Sequence, residues 1–129
     1  MSVTKEQLHE AVLAHQDDLL KLCQQLIQIK NQSPIDDQEP AIKFVRDYLA
    51  EHGIESERIV ADSGEDYPVV YARIGSDEGF RVVLNGHVDV VPVGKLDGWD
   101  FDPFGGEIED GKIYGRGTSD MKGSDCAMI

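Results

Sequence analysis

The chain has 129 residues, of which 25 are Asp or Glu and 12 are Lys or Arg, so its formal net charge is −13. This length suits one domain, since folded domains most often contain roughly 100–150 residues. The acidic excess, with no stretch rich in Lys or Arg, excludes nucleic acid as a partner because its phosphates would be repelled. The first thirty residues contain neither the apolar core of a signal peptide nor a membrane-spanning run. Two distant cysteines, Cys23 and Cys126, indicate a reducing compartment, and we expect a soluble, cytoplasmic protein that binds no membrane.

Two amphipathic helices are predicted in the first half of the chain. The first covers about residues 4–30 and ends before Pro34, which disfavours helical geometry in the residue preceding it. The second covers about residues 37–52 and is followed by Gly53. Apolar residues recur at steps of three and four along both helices, which predicts that these side chains form the core. They are Leu8, Val12, Leu19, Leu22, Cys23 and Leu26 in the first helix and Ile42, Val45 and Leu49 in the second.

Strands and loops are predicted from residue 54 to residue 118. Candidate strands are 54–61, 69–74 and the most apolar one, 81–85, with a tight turn over 75–79. A hairpin is predicted over 107–114 because Asp110-Gly111 suits a two-residue type I′ turn. A further helix starts at 119 and continues to 129. Helices followed by strands and another helix predict a mixed α/β architecture for the single unit 1–129.

His87 and Asp89 follow the most apolar predicted strand, where functional groups of α/β proteins commonly lie. An imidazole can bind zinc through one nitrogen while a carboxylate holds its other N–H. Residues i and i+2 of a strand share a face, so Asp89 can serve as that carboxylate. The alternative is a surface histidine beside an acidic residue, with no ligand.

Asp120 is the second candidate, within the glycine-rich segment from Gly115 to Gly123 at a predicted helix start. Its two oxygens could bridge two metal ions, as in dizinc hydrolases. The alternative is a tight connection in which Ser119 or Asp120 caps the helix. The spacing is neither a phosphate loop nor a dinucleotide motif.

Between these candidates, Trp99 lies with Phe101 and Phe104 in a loop rich in Gly and Asp. Aromatic side chains in such a loop most simply anchor it against the sheet. The remaining histidines, His9, His15 and His52, lie among charged residues of the predicted helices, and we expect them to be solvated.

Three segments in this order, GHVDVVP, WDFDPFGGEIEDGKIYGRG and TSDMKG, resemble one family from about Asn85 to Gly123. They are similar to the dizinc metallopeptidases and amidohydrolases that include acetylornithine deacetylase, succinyl-diaminopimelate desuccinylase, aminoacylase and related dipeptidases. The resemblance implies the N-terminal part of a mixed-sheet, helix-flanked catalytic domain. The family's lid or dimerisation domain is absent from these 129 residues.

The resemblance also implies roles for individual residues. His87 would bind one zinc ion, Asp120 would bridge two, and Asp89 would be the catalytic-site carboxylate that orients His87. Cobalt or manganese could substitute for zinc. The family commonly has a cis peptide after its bridging aspartate, here Asp120–Met121. The implied reaction is hydrolysis of the amide bond of a small N-acyl amino acid or short peptide by a metal-activated water.

The sequence departs from the family because the general-base glutamate and the remaining metal ligands lie downstream of the TSDMKG segment in family members. Glu107 and Glu109 precede Asp120 and do not occupy that motif. We therefore expect a truncated portion of a longer hydrolase, with half of one metal site and no activity alone. The alternative is a non-catalytic interaction or metal-holding module that associates with itself as a homo-oligomer.

Overall fold

The computed structural model describes residues 3–60, 67–76 and 78–129. Helix α1 covers Lys5–Ala14 and helix α2 covers Gln16–Gln28. The first predicted helix is therefore interrupted at His15, whose backbone leaves helical geometry at φ −105° and ψ 11°. Helix α3 covers Glu39–Glu51, and Gly53 follows it with φ +74°, as predicted for a C-terminal glycine. Helix α4 covers Gly123–Met128 and is preceded by a kinked segment, Thr118–Lys122, in which the backbone of Asp120 and Met121 is not helical.

Two antiparallel hairpins supply the strands of the described residues. Strand β1, Ser56–Val60, pairs with β2, Pro68–Ala72, so that Arg58 lies opposite Val70. Strand β1 lies within the strand predicted over 54–61, and β2 overlaps the strand predicted over 69–74. Ala61 lies outside the described residues. Strands β3, Ile108–Glu109, and β4, Lys112–Ile113, form the second hairpin. Asp77, within the predicted turn over 75–79, lies outside the described residues.

The turn between β3 and β4 confirms the prediction made from its Asp-Gly pair. Asp110 has φ +50° and Gly111 has φ +72°, so both central residues adopt the left-handed geometry of a type I′ turn. Ile108 lies opposite Ile113 in the resulting register.

The prediction of a strand over the most apolar segment, 81–85, was wrong. Within the described ranges this segment belongs to no strand, and only Val90 beyond it makes a parallel bridge, with Gln32. Val83 is 85% exposed, and Val82 and Leu84 are also exposed. A strand requires a neighbouring strand to receive its backbone hydrogen bonds, and no strand among the described residues lies beside this segment.

The core lies between α2, α3 and α4. Leu26 and Ile27 of α2 and Ala41 of α3 are completely buried, and Cys126 of α4 completes the same cluster. The predicted inward stripe is confirmed for α2 and α3 but was wrong for α1. Leu8 is 58% and Val12 65% exposed because none of the described elements covers the apolar side of α1. No helix of the described residues is long and apolar enough to cross a membrane.

Helix α2 also holds the loop that leads to the second hairpin. Gln24 Nε2 donates to Gly106 O at 2.8 Å, and Gln28 Nε2 donates to Gly105 O at 3.0 Å. Two of the loop's aromatic residues make defined contacts: Trp99 Nε1 donates to Val93 O at 3.1 Å, and the ring of Phe101 stacks on Tyr114, which directly follows β4. Anchoring of the loop against a sheet stays a prediction. This loop therefore closes one side of the region that contains His87 and Asp120.

Candidate metal centre

The structure brings together the three site residues that the sequence predicts. His87 Nε2 lies 3.0 Å from Asp120 Oδ1, although the two residues are 33 positions apart. On the other side of the ring, His87 Nδ1 lies 3.1 Å from the backbone oxygen of Asp89 and 3.3 Å from its Oδ1. Both ring nitrogens of His87 therefore face oxygen atoms.

This geometry constrains the protonation of His87. A neutral imidazole has one N–H donor and one lone pair, so one of its two nitrogens would face an oxygen lone pair without a hydrogen between them. Partial burial opposes the charged form, but the Asp89 backbone oxygen and the Asp120 carboxylate outweigh it and raise the pKa of His87. Either a second proton on the ring or a cation bound at Nε2 would give both nitrogens of His87 a favourable contact.

Asp120 is presented to solvent by an unusual backbone. Its side chain is 86% exposed, and Gly117 before it has φ +86°. The peptide bond Asp120–Met121 is cis, as the family resemblance implied. A Cβ atom on Gly117 would lie only 2.3 Å from Val90 Cγ1, so glycine lets the Asp120 segment approach the segment that carries His87 and Asp89.

The donor atoms fit one part of a metal site but do not complete it. An imidazole nitrogen and a carboxylate oxygen 3.0 Å apart, both accessible, are two ligands of the types that zinc accepts. A zinc ion normally has three or more protein ligands. Across residues 3–60, 67–76 and 78–129, however, no group of three His, Cys, Asp or Glu side chains could hold a metal ion.

A cleft of about 430 Å³ adjoins these ligands. Trp99 and Arg116 line it together with His87, Asp89 and Asp120. The guanidinium carbon of Arg116 lies 5.0 Å from the centre of the Trp99 ring, a cation–π arrangement that holds both side chains at the wall of the cleft. The ligands thus lie beside a space that can admit a small molecule.

Three buried polar residues near the ligands were missed by the sequence analysis. Lys122, Asn31 and Asp125 are at most 6% exposed. Burial lowers the pKa of Lys122 to about 8 and raises that of Asp125 to about 6. Their types gave no signal, because Lys, Asn and Asp are usually exposed and each lies in a polar stretch of sequence.

Asp125 lies against the backbone just before His87. A Cβ atom on Gly86 would lie 1.9 Å from Asp125 Oδ1, so a larger residue at position 86 would require the Asp125 side chain to move. Asp125 Oδ2 is buried and has no hydrogen-bond partner in the described part of the chain. The glycine of the GHVD segment is thereby explained by packing against α4.

Comparisons with known proteins agree with this architecture. Residues 83–129 match the family described as peptidase family M20/M25/M40. A succinyl-diaminopimelate desuccinylase from Ehrlichia ruminantium (strain Gardel) is 42% identical over 115 residues, covering 87% of this chain and 29% of that protein. Another, from Methylobacterium radiotolerans, is 43% identical over 115 residues, covering 88% of this chain and 28% of that protein.

Among solved structures, human carnosine dipeptidase 1 matches with a TM-score of 0.73 and 26% identity. The match covers 95% of this chain and 29% of the dipeptidase. The chain therefore spans less than a third of the length of these relatives. Their similarity supports the α/β fold expected from the sequence, and the matched family segment contains His87, Asp89 and Asp120.

Proposed function

We propose that this chain contributes half of the metal centre of a zinc-dependent amidohydrolase. The chain matches the N-terminal part of proteins of peptidase family M20/M25/M40 in sequence and fold. The observation that carries the proposal is the 3.0 Å approach of His87 Nε2 to Asp120 Oδ1 inside the segment that matches the family. The whole enzyme in this proposal has the length of the relatives.

In this proposal, His87 and Asp120 would hold zinc, and Asp89 would fix the orientation of the His87 ring. Cobalt or manganese could replace zinc, since imidazole and carboxylate also suit these metals. When bound, the metal polarises a carbonyl group and lowers the pKa of water. The general base and the remaining ligands come from residues beyond these 129, so the chain alone is inactive.

The proposed substrate is a small N-acyl amino acid or a short peptide, cleaved at its amide bond. The names of the relatives support this class, since one is a desuccinylase of an acylated amino acid and another is a dipeptidase. The cleft of about 430 Å³ beside His87 and Asp120 has the size for a small ligand. We place the enzyme in the cytoplasm, where the free cysteines Cys23 and Cys126 would stay reduced.

A chimaeric enzyme tests the function of the whole protein. The part of this chain that matches the Ehrlichia desuccinylase, 87% of its residues, replaces the corresponding part of that enzyme. We expect the chimaera to hydrolyse N-succinyl-diaminopimelate with zinc, and we expect His87→Ala or Asp120→Asn to lower kcat/KM at least about 100-fold by removing a ligand. His52→Ala, at an exposed histidine of the same chimaera, is the matched control and should keep the activity. A chimaera that folds and is active without His87 would refute the proposal.

The chain alone tests the half-site. Isothermal titration should show weak zinc binding that His87→Ala and Asp120→Asn abolish and that His52→Ala preserves. The zinc-loaded chain should not hydrolyse N-acetyl amino acids. Turnover that disappears in His87→Ala would instead show a complete site within these residues.

A second candidate function is a self-associating module without catalysis. It is favoured by the exposed apolar segment 80–84, in which Phe80 is 94% and Val83 85% exposed. An apolar segment without a neighbouring strand can pair with a second copy of the chain. The product of such pairing would be a homo-oligomer.

A further inference from the structure

Lys122 is completely buried two residues after Asp120. Its Nζ donates to three acceptors: Leu26 O at 2.9 Å, Ile29 O at 3.0 Å and Asn31 Oδ1 at 2.7 Å. An ammonium group has three donors, so all of them are used. The two carbonyl groups belong to the last turn of α2 and to Ile29 just after it, and Leu26 O also accepts from Ile29 N at 3.3 Å. Lys122 therefore anchors the Asp120 segment to the end of α2.

Asn31 is also completely buried and binds the other half of the site. While its Oδ1 accepts from Lys122, its Nδ2 donates to Val88 O at 2.9 Å. Its backbone oxygen accepts from Val90 N at 3.3 Å. Val88 and Val90 flank Asp89, and Val88 follows His87 directly. Asn31 therefore fixes the backbone that carries His87 and Asp89.

The two side chains form one continuous link between the two ligand segments. From Lys122 the hydrogen bonds pass through the Asn31 amide to Val88 O. Lys122 and Asn31 are completely buried, and Val88 is half-buried. Hydrogen bonds away from water are geometrically demanding, because a displaced partner leaves a buried polar group unsatisfied. A helix-capping role would require only the bonds to Leu26 O and Ile29 O, and does not account for the contact with Asn31.

We infer that Lys122 and Asn31 are positioning residues of the metal centre, which hold Asp120 Oδ1 against His87 Nε2. The inference rests on the proposed function, because it concerns the same two ligands. Neither residue touches the donor atoms, and neither is assigned a part in bond cleavage.

Two variants break the link at different points. Lys122→Met keeps the length and apolar stem of the side chain but removes the ammonium group. Asn31→Asp keeps an acceptor for Lys122 but removes the N–H donor to Val88 O. If Lys122→Met does not fold, Asn31→Asp provides the same test with the Lys122 contact intact. Leu49→Ala is the matched control, because Leu49 lies in the same core on α3 and its truncation lowers stability without touching the link.

The first measurement needs no metal. The imidazole ¹H and ¹⁵N signals of His87 are recorded by NMR, with Asp120→Asn as the reference for a lost His87–Asp120 contact. We expect both link variants to shift the His87 signals towards those of Asp120→Asn, whereas Leu49→Ala leaves them in place. The inference is overturned if the His87 signals of both link variants stay where they are in the unmodified chain. It is also overturned if Leu49→Ala, at an equal loss of thermal stability, shifts the His87 signals as far as the link variants do.

The second measurement is zinc affinity by isothermal titration of the same proteins. Loss of residues that orient ligands typically weakens metal binding about 10–100-fold, and we expect this fall in both link variants but not in Leu49→Ala. Unchanged zinc affinity in both link variants overturns the inference. If the unmodified chain binds no zinc, the expectation that the half-site binds zinc on its own is wrong, and the His87 signals then support or overturn the positioning roles on their own.

Discussion

Asp125 shows how one buried side chain ties the stability of this fold to pH. Its pKa is raised by burial to about 6 from an ordinary value of 3.8, and its Oδ2 has no hydrogen-bond partner in the described residues. The folded chain therefore binds the proton more tightly than the unfolded chain does. The unfolded carboxyl ionises first as the pH rises, so the contribution of Asp125 to the free energy of unfolding falls between about pH 4 and pH 6 and then stays low.

Asp125→Asn removes this ionisation and should stabilise the chain where the carboxylate is charged. We expect a gain of about 1–3 kcal/mol at neutral pH, shrinking towards zero near pH 4, because a neutral amide avoids the cost of a buried charge. Urea denaturation at several pH values measures it. Glu10→Gln, at an exposed glutamate of α1, is the control and should change little at any pH. If Asp125→Asn were less stable than the unmodified chain both at pH 4 and at neutral pH, the prediction would be wrong.

At the scale of elements, the approach of the Asp120 segment to the His87 segment depends on Gly117. Its φ is +86°, and an added Cβ would lie 2.3 Å from Val90 Cγ1, a buried side chain. Gly94 has a similar φ of +70° but no atom within 4 Å of an added Cβ. Substituting each glycine in turn therefore distinguishes two causes of lost stability: a Cβ atom at positive φ, present at both positions, and a clash with a neighbouring atom, present only at Gly117.

Gly94→Ala should cost about 1–2 kcal/mol of unfolding free energy, because a residue with a Cβ is disfavoured at positive φ. Gly117→Ala should cost a further 1–3 kcal/mol or so, because Val90 must also move. Urea denaturation of the two variants, at the same pH, compares them. Equal losses of stability would show that the contact between Gly117 and Val90 is loose.

The same elements show how far the sequence alone could predict the structure. Helices α2 and α3 were predictable because their apolar stripes are both periodic and buried, and the β3–β4 hairpin because Asp110-Gly111 specifies its turn. Periodicity could not reveal that α1 is uncovered, since Leu8 and Val12 follow the same spacing as the buried residues. Burial is decided by partners that local sequence does not encode.

The candidate site was predictable in part for a related reason. His87, Asp89 and Asp120 carry ligand chemistry in recognisable segments, and the structure brings them together. Lys122 and Asn31 were not predicted from the sequence, because a fully buried lysine is rare and the oxygens that accept from Lys122 are far away in sequence. Such contacts follow from the tertiary fold, which only the structure supplies.

At the scale of the whole molecule, an acidic chain carries an exposed apolar segment. Residues 80–84 include Phe80, Val82, Val83 and Leu84, all more than 60% exposed, with Arg81 as the one charged residue among them. The exposed apolar residues of α1 differ, because the backbone of the helix that carries them is already hydrogen-bonded. The net charge of −13 opposes association, and salt screens this repulsion.

Association of the chain with itself should therefore occur through residues 80–84 and should increase with salt. We expect the unmodified chain to show dimers or larger species in sedimentation equilibrium, more of them at about 0.5 M than at 0.05 M sodium chloride, because the Debye length shortens. The double variant Phe80→Ser/Val83→Ser should shift the population towards monomer at both salt concentrations, since it removes apolar surface without changing the charge. Leu8→Ser/Val12→Ser removes exposed apolar surface from α1 instead and should leave the association unchanged. A chain that is monomeric at every concentration, or two double variants that dissociate equally, would exclude the segment as a pairing surface and with it the self-associating module.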